Sequence, residues 1–336
     1  MRRVALELFS SIIKNEKLKE TIASDILKHR ISHAYIIEGP DGSGKHTAAT
    51  EIASALFCER ASGGRFPCKE CLSCRKTAEG ICTDVIYVNR GTKASIGVDT
   101  VRDLKETVNY APVEMPYKVY IIEEADKMTV QAQNSLLLVL EEPPEFVVFL
   151  LLCKDSTLLL ETVRSRAPVI KMQLFSADDV ASILSMKKQY SGVPKDTLSS
   201  AAAASGGALG KAELLLSDKD APQLKEIKLC REILPVLLTG NANDRLSLIK
   251  RFPPKRDELI SFLETLACAL RDLLFVKKTE CRDLMFFSDR QEALRLSSSV
   301  GTRRISTLYQ EIKESVKKVS SNVSIQPLLM LILSKN

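Results

Sequence analysis

An α/β fold with a mostly parallel sheet, followed by helices alone, is what this sequence predicts, and three observations carry the expectation. Short apolar runs at 35–38, 85–88, 118–122, 146–153 and 169–174 alternate with helix-forming stretches. That alternation builds a parallel sheet with helices on both faces. Two of the runs end in chemistry-bearing groups, the first in a glycine-rich loop and the third in a pair of acids. From Ser176 onward the strand pattern stops and short helical runs take over.

The totals fit this division. A length of 336 residues suits two or three domains, and 45% hydrophobic residues provide a sizeable core. Aromatics are only 5% and Trp is absent, so that core is expected to be aliphatic. The net charge of +6 is spread along the chain, which permits contact with nucleic acid without demanding it. Charges flank the apolar runs 136–140 and 149–152 too closely for a membrane span. The N-terminus carries Arg2, Arg3 and Glu7 with no long apolar stretch, so neither a signal peptide nor a membrane is expected, and the location implied is cytoplasmic.

In chain order, residues 1–32 read as helix, with Val4, Leu8, Ile12, Leu18, Ile22 and Ile26 at rough helical spacing. The strand at 35–38 then enters Gly39-Pro-Asp-Gly-Ser-Gly-Lys45, and a helix leaves over 48–58. Strand, glycine loop and helix in that order form the context of a Walker A loop. Gly39, Gly42 and Gly44 let the backbone turn tightly, Ser43 lies among them, and Lys45 is placed to reach phosphate oxygens. The residue after the lysine should be Ser or Thr to hold Mg²⁺, but His46 stands there and the hydroxyl comes one position late, at Thr47. ATP with Mg²⁺ is therefore a candidate cofactor of an imperfect site.

Four cysteines follow at Cys58, Cys68, Cys71 and Cys74, out of nine in the chain. The spacing C-x9-C-x2-C-x2-C suits a tetrahedral Zn²⁺ held by four thiolates. A complete thiolate shell leaves no open position, so such a metal is structural. Cys82 is expected to begin a strand and to belong to the core. The next helix opens at 96–104 and Met115-Pro116 marks a turn. The strand at 118–122 ends in Glu123 and Glu124, the Walker B pattern, with Glu123 placed to hold Mg²⁺ through water and Glu124 to polarise an attacking water. A helix over 128–140, the strand at 146–153, a connection at 155–160 and a short helix or turn at 161–166 carrying Arg164 and Arg166 complete this part before the last strand, 169–174.

Helical runs at 177–190, 197–204 and 209–216 predict a small helical domain, and 217–222 a linker. Six further helices are expected at 224–238, 243–252, 256–277, 289–298, 303–319 and 324–333, with Pro253-Pro254 breaking the series. The expected domains are thus 1–174 with the inserted cysteine module at 58–74, then 175–220, then 221–336. The basic residues Arg303, Arg304, Lys313, Lys317 and Lys318 read as a solvated helix face.

Several motifs together resemble one family. His33-Ala-Tyr35 precedes the glycine loop, the four-cysteine module interrupts the fold after its first helix, and Ile96-Gly-Val-Asp99 follows. Lys118-Val-Tyr-Ile-Ile-Glu-Glu-Ala-Asp-Lys-Met128 runs on through Gln133-Asn-Ser-Leu-Leu137 to Leu140-Glu-Glu-Pro-Pro144, then Ser165-Arg-Ala167, and Asn322-Val-Ser-Ile-Gln326 opens the final helix. In these the chain resembles the bacterial clamp-loader subunits of the AAA+ class, most of all their delta-prime branch. The resemblance implies a P-loop core, a small helical lid and a helical collar. It also implies a hetero-pentamer with gamma/tau and delta subunits that places a sliding clamp on primed DNA. In that setting Arg166 is an arginine finger acting in trans on a neighbour's nucleotide. His46, Glu123, Cys153, Lys154 and Gly210 depart from the motor subunits' pattern and favour a non-motor role. Two other readings stand beside it: an active gamma/tau-type ATPase, and a zinc-bearing nucleic-acid binding module without a nucleotide role.

Overall fold

The computed structural model describes residues 9, 11–60, 66–218, 221–279, 283–320 and 325–334. They divide into two units, Met1–Gln173 and Leu174–Asn336.

The first unit is organised by a five-stranded, wholly parallel sheet. Its strands are β1 (Ala34–Glu38), β2 (Val85–Val88), β3 (Lys118–Ile122), β4 (Val147–Cys153) and β5 (Val169–Lys171), in the order β2-β3-β4-β1-β5. Alternate residues enter opposite cores, as the two-residue period of a strand requires. Tyr35, Ile37, Val119, Ile121, Val148 and Leu150 join one cluster, while Ala34, Ile36, Tyr120, Ile122, Phe149 and Leu151 join the other. The first cluster is shared with α1 (Glu16–Leu27) and α2 (Lys45–Leu56), the second with α4 (Val98–Val108) and α5 (Val130–Glu141). Each Val, Leu, Ile or Phe side chain so buried contributes about 1.5–3 kcal/mol. A short α3 (Leu72–Ala78) and α6 (Glu161–Arg164) complete the unit.

Three local expectations change. The helix expected over 1–32 is, in its described part, confined to α1, because Lys14 and Asn15 adopt φ of 53° and 61°. Residues 1–8 and 10 lie outside the described residues. A tertiary contact explains the late start: Asn15 N–H donates to Gln173 Oε1 at 3.1 Å and Gln173 N–H donates to Asn15 Oδ1 at 2.6 Å. The same pair ends β5 at Lys171 rather than 174, since it takes up Gln173. Cys82 is buried as expected but precedes β2 in a turn, with Val85 N–H bonded back to its carbonyl at 3.3 Å.

Buried Asp84 fixes the approach to β3. Its carboxylate accepts the backbone N–H groups of Val113, Glu114 and Met115 at 2.8, 2.9 and 3.0 Å. These are charge-assisted bonds that satisfy three amides at once.

The second unit is helical: α7 (Ala177–Met186), α8 (Lys195–Ser205), α9 (Leu209–Ser217), α10 (Pro222–Thr239), α11 (Ala242–Ser247), α12 (Arg256–Lys278), α13 (Arg290–Ser298), α14 (Thr302–Ser320) and α15 (Ile325–Ser334). It contains two apolar clusters. One gathers Phe175, Val180, Leu184, Leu198 and Ala201, the other Ile233, Leu237, Leu266, Leu270, Ile305 and Ile312. Capping boxes at Ser176–Asp179 and Asn241–Asp244 start α7 and α11. Buried Asp272 repeats the device of Asp84, accepting N–H groups from Met285, Phe286 and Phe287. Residues 219–220 of the expected linker and 322–324 of the final motif lie outside the described residues. No helix of the described residues is long and apolar enough to cross a membrane.

Replacing Asp84 with Ala removes the acceptor of three amides, of which that of Met115 lies in a buried bond. The expected cost is about 3 kcal/mol, read as a lower urea midpoint, with Asp84→Asn intermediate.

Candidate functional site

The C-terminal edge of a parallel sheet is where its loops can carry chemistry. Gly39 follows β1 and donates its N–H to Cys153 C=O at 3.0 Å, the last rung before the chain turns. A Cβ on Gly39 would stand 2.6 Å from Ser43 Oγ and 3.0 Å from Met172 Cβ, so only glycine closes the loop. Gly44 caps α2 with φ of 90°, a region that disfavours other residues. Lys45 folds back over the loop, its ammonium donating to Gly39 C=O and, at 2.9 Å, to Pro40 C=O. Burial lowers its pKa, against the raising effect of Asp41, Cys153 and Asp126. Ser43 is buried inside the loop and its Oγ has no hydrogen-bond partner.

His46 and Glu123, the two residues placed where a Mg²⁺ ion would be held, meet each other instead. His46 Nε2 lies 3.2 Å from Glu123 Oε1, and the imidazole stacks on Tyr87 of β2 with centroids 5.4 Å apart and planes at 10°. Thr47 is exposed on the first turn of α2. Glu124 sits in left-handed backbone, φ 49° and ψ 47°, a conformation that costs on the order of 1 kcal/mol or more in a non-glycine residue. Arg90 Nε holds its carboxylate at 2.6 Å. Lys154, just beyond β4, pairs with Asp41 of the loop at 2.6 Å, and that bond raises its pKa. Phosphate therefore fits this loop, through Lys45, Ser43 and the glycine backbone. A Mg²⁺ ion does not fit, because its hydroxyl ligand is replaced by an imidazole already bound to the acid.

Beneath the loop, Glu38 accepts from Ser156 Oγ at 2.6 Å and pairs with Lys171 at 2.9 Å. Burial alone would raise its pKa, but these two partners outweigh burial and lower it. Arg166 follows α6. Its guanidinium lies 2.7 Å from Glu141 Oε1 at the end of α5 and 3.0 Å from Thr162 C=O, and the side chain remains about one-third exposed, at 34%.

Cys58, Cys68, Cys71 and Cys74 converge, with all four sulfurs within 4.8 Å of one another. Helix α3 does this by bringing Cys74 one turn along from its N-cap, Cys71. Cys68 and Cys74 sulfurs are 3.9 Å apart, close to the ~3.8 Å edge of a tetrahedron with metal–sulfur bonds of about 2.3 Å. Backbone N–H groups point at sulfur, Cys68 N to Cys58 Sγ at 3.4 Å and Cys71 N to Cys68 Sγ at 3.3 Å. Burial would raise the Cys68 thiol, but the N–H groups of Cys71 and Glu70 bring it down to about 7; burial pushes Cys74 up to about 12. The cluster is a compatible metal site.

Tyr87, Arg90, Asp41, Ser156 and Lys171 were not singled out by the sequence pattern. Their partners are far away in the chain, and no local spacing signals such pairs.

Residues 14–176 match the family described as DNA polymerase III, delta subunit. That match spans a little under half of the chain and makes this part of it similar to DNA polymerase III clamp-loader subunits. The same region is similar to the DNA polymerase III subunit tau of Bacillus subtilis, 37% identical over 158 residues, which are 47% of this chain and 28% of that one. It is 31% identical to the subunit gamma of Buchnera aphidicola over 178 residues, 53% of this chain and 48% of the other. The chain thus spans less than half the length of these relatives. A DNA polymerase III gamma subunit-related protein of Thermotoga maritima aligns over 94% of this chain and 97% of its own at 21% identity, with a TM-score of 0.41, too distant a likeness to argue from. The sheet and glycine loop lie inside the matched region, and so do the cysteine cluster and Arg166.

The lowered pKa of Glu38 gives a pH signature. Its ionised form stabilises the native state fully above the ordinary value of 4.5, and that contribution is lost as pH falls through the lower native value. Ser156→Ala should bring the native pKa back toward the ordinary value. The variant should then lose stability at about pH 7 but very little at about pH 3, as read from urea midpoints.

Proposed function

We propose that this protein is a clamp-loader subunit of the delta-prime kind, a non-motor member of an ATP-driven assembly that places a sliding clamp on primed DNA. The observation that carries the reading is the His46–Glu123 pair, which occupies the positions a hydrolytic Mg²⁺ requires. Its companion is the Arg90–Glu124 bond, which holds the candidate water-polarising acid in strained backbone. A subunit with this site contributes little turnover of its own. Arg166 supplies its contribution in trans, a guanidinium that meets charge developing on a neighbour's phosphoryl oxygens. Its partial exposure and its single carboxylate partner, Glu141, are consistent with release to a second chain.

A second reading, the gamma/tau-type motor, is favoured by the relatives themselves, which include tau and gamma subunits at 31–37% identity. Two measurements bear on the choice. In a loader reconstituted with the other subunits, Arg166→Ala should leave assembly intact and lower DNA-stimulated ATPase at least tenfold, in line with the value of arginine fingers. The chain alone should show no ATPase sensitive to Lys45→Ala. Robust, Lys45-dependent turnover by the isolated chain would establish the motor reading instead.

The four cysteines are proposed to hold a structural Zn²⁺. When bound, the metal ties α3 and the segment before it to the end of α2. Metal analysis should find about one Zn²⁺ per chain, and chelation should lower the melting temperature, with Cys71→Ser abolishing both. Full stability without metal would overturn the assignment.

A further inference from the structure

The glycine loop retains the groups that hold phosphate and lacks those that hold Mg²⁺, and that mismatch has a direction. We infer that the loop binds the polyphosphate chain of a nucleoside di- or triphosphate without a divalent cation, with Lys154 supplying the charge that the metal would otherwise bring. The inference deepens the non-motor reading of the same site and rests on it.

Three observations carry it. First, the loop contains an unexplained donor: Ser43 is buried, its Oγ lies over Gly39, and it has no partner. A buried hydroxyl without a bond is costly, and a phosphate oxygen in the loop would satisfy it. Second, two ammonium groups serve the loop rather than one. Lys45 rests on the carbonyls of Gly39 and Pro40, and Lys154 rests on Asp41; the two are close enough for Lys154 to lower the proton affinity of Lys45. Two like charges converging on a loop are relieved by an anion between them. Third, the acids at the rim are mostly occupied. Glu123 is bound to His46, Glu124 to Arg90, and Asp41 to Lys154. Asp126 has one carboxylate oxygen without a hydrogen bond, and its charge helps keep Lys45 and Lys154 protonated.

On binding, Lys45 and Lys154 exchange carbonyl and carboxylate oxygens already within the protein for phosphate oxygens. Lys154 is about half exposed, at 45%, so it can swing from Asp41 without disturbing the core. The His46–Glu123 contact stays closed throughout. No bond to phosphorus forms or breaks, so the step is binding alone.

The test is titration calorimetry of the full chain with ATP, ADP and inorganic tripolyphosphate, each in EDTA and in excess Mg²⁺. All three should bind in EDTA, with affinity within about threefold of that in Mg²⁺, a difference of under ~1 kcal/mol. Lys154→Ala should weaken binding in EDTA about tenfold, or ~1.4 kcal/mol, while its melting temperature stays near that of the parent. Tripolyphosphate separates the sources of the ligand: affinity equal to that of ATP assigns the site to the phosphate chain. Binding that requires Mg²⁺, binding unchanged in Lys154→Ala, or no binding of any probe would overturn the inference. Because the measurement uses no partner subunit and does not involve Arg166, its failure leaves the result of the Arg166→Ala experiment untouched, and the two proposals fall separately.

Discussion

The rung from Gly39 N–H to Cys153 C=O decides where everything at the sheet's edge stands. β1 lies between β4 and β5 and is buried on both faces, so its end cannot shift without unpacking two apolar layers. The loop therefore leaves at a fixed point, and α2 starts at a fixed distance from the ends of β3 and β4. Glu38, Glu123 and Lys154 are brought to one edge by strand register alone. Once there, they cannot remain as bare charges. Each has taken a partner from another segment: Lys171, His46 and Asp41 respectively. The edge is thus mostly paired, with Ser43 Oγ and one oxygen of Asp126 left without hydrogen bonds.

Loops away from that edge are ordered by a different device. Asp84 in the first unit and Asp272 in the second are buried carboxylates, each holding three consecutive backbone N–H groups. Such a carboxylate replaces the hydrogen bonds that a helix or strand would have supplied. Over 58–74 the four cysteines converge beside the fully buried Phe66. Residues 61–65 of that module lie outside the described residues.

How far the sequence foretold this depended on the range of each interaction. The strands were legible because both their faces are buried, leaving nearly unbroken apolar runs such as Val147–Cys153. The cysteine cluster was legible because its spacing is itself the geometry. Helix α3 was not, since its seven residues carry no apolar period. The start of α1 was misjudged because periodicity ran through Asn15, whose left-handed backbone answers to Gln173, far along the chain. At the site, the departure at His46 was visible at once. What it did was not, because Tyr87 and Glu123 reach it only after the sheet has formed. The same holds for Arg90 and Glu124, whose partnership is set by the neighbouring ends of β2 and β3.

The reciprocal amide bonds between Asn15 and Gln173 have a topological consequence. They fix the turn before α1 and the segment after β5, 158 residues apart in the chain, at a single spot. Helix start and strand exit are thereby clasped together, and a change that loosens one loosens the other.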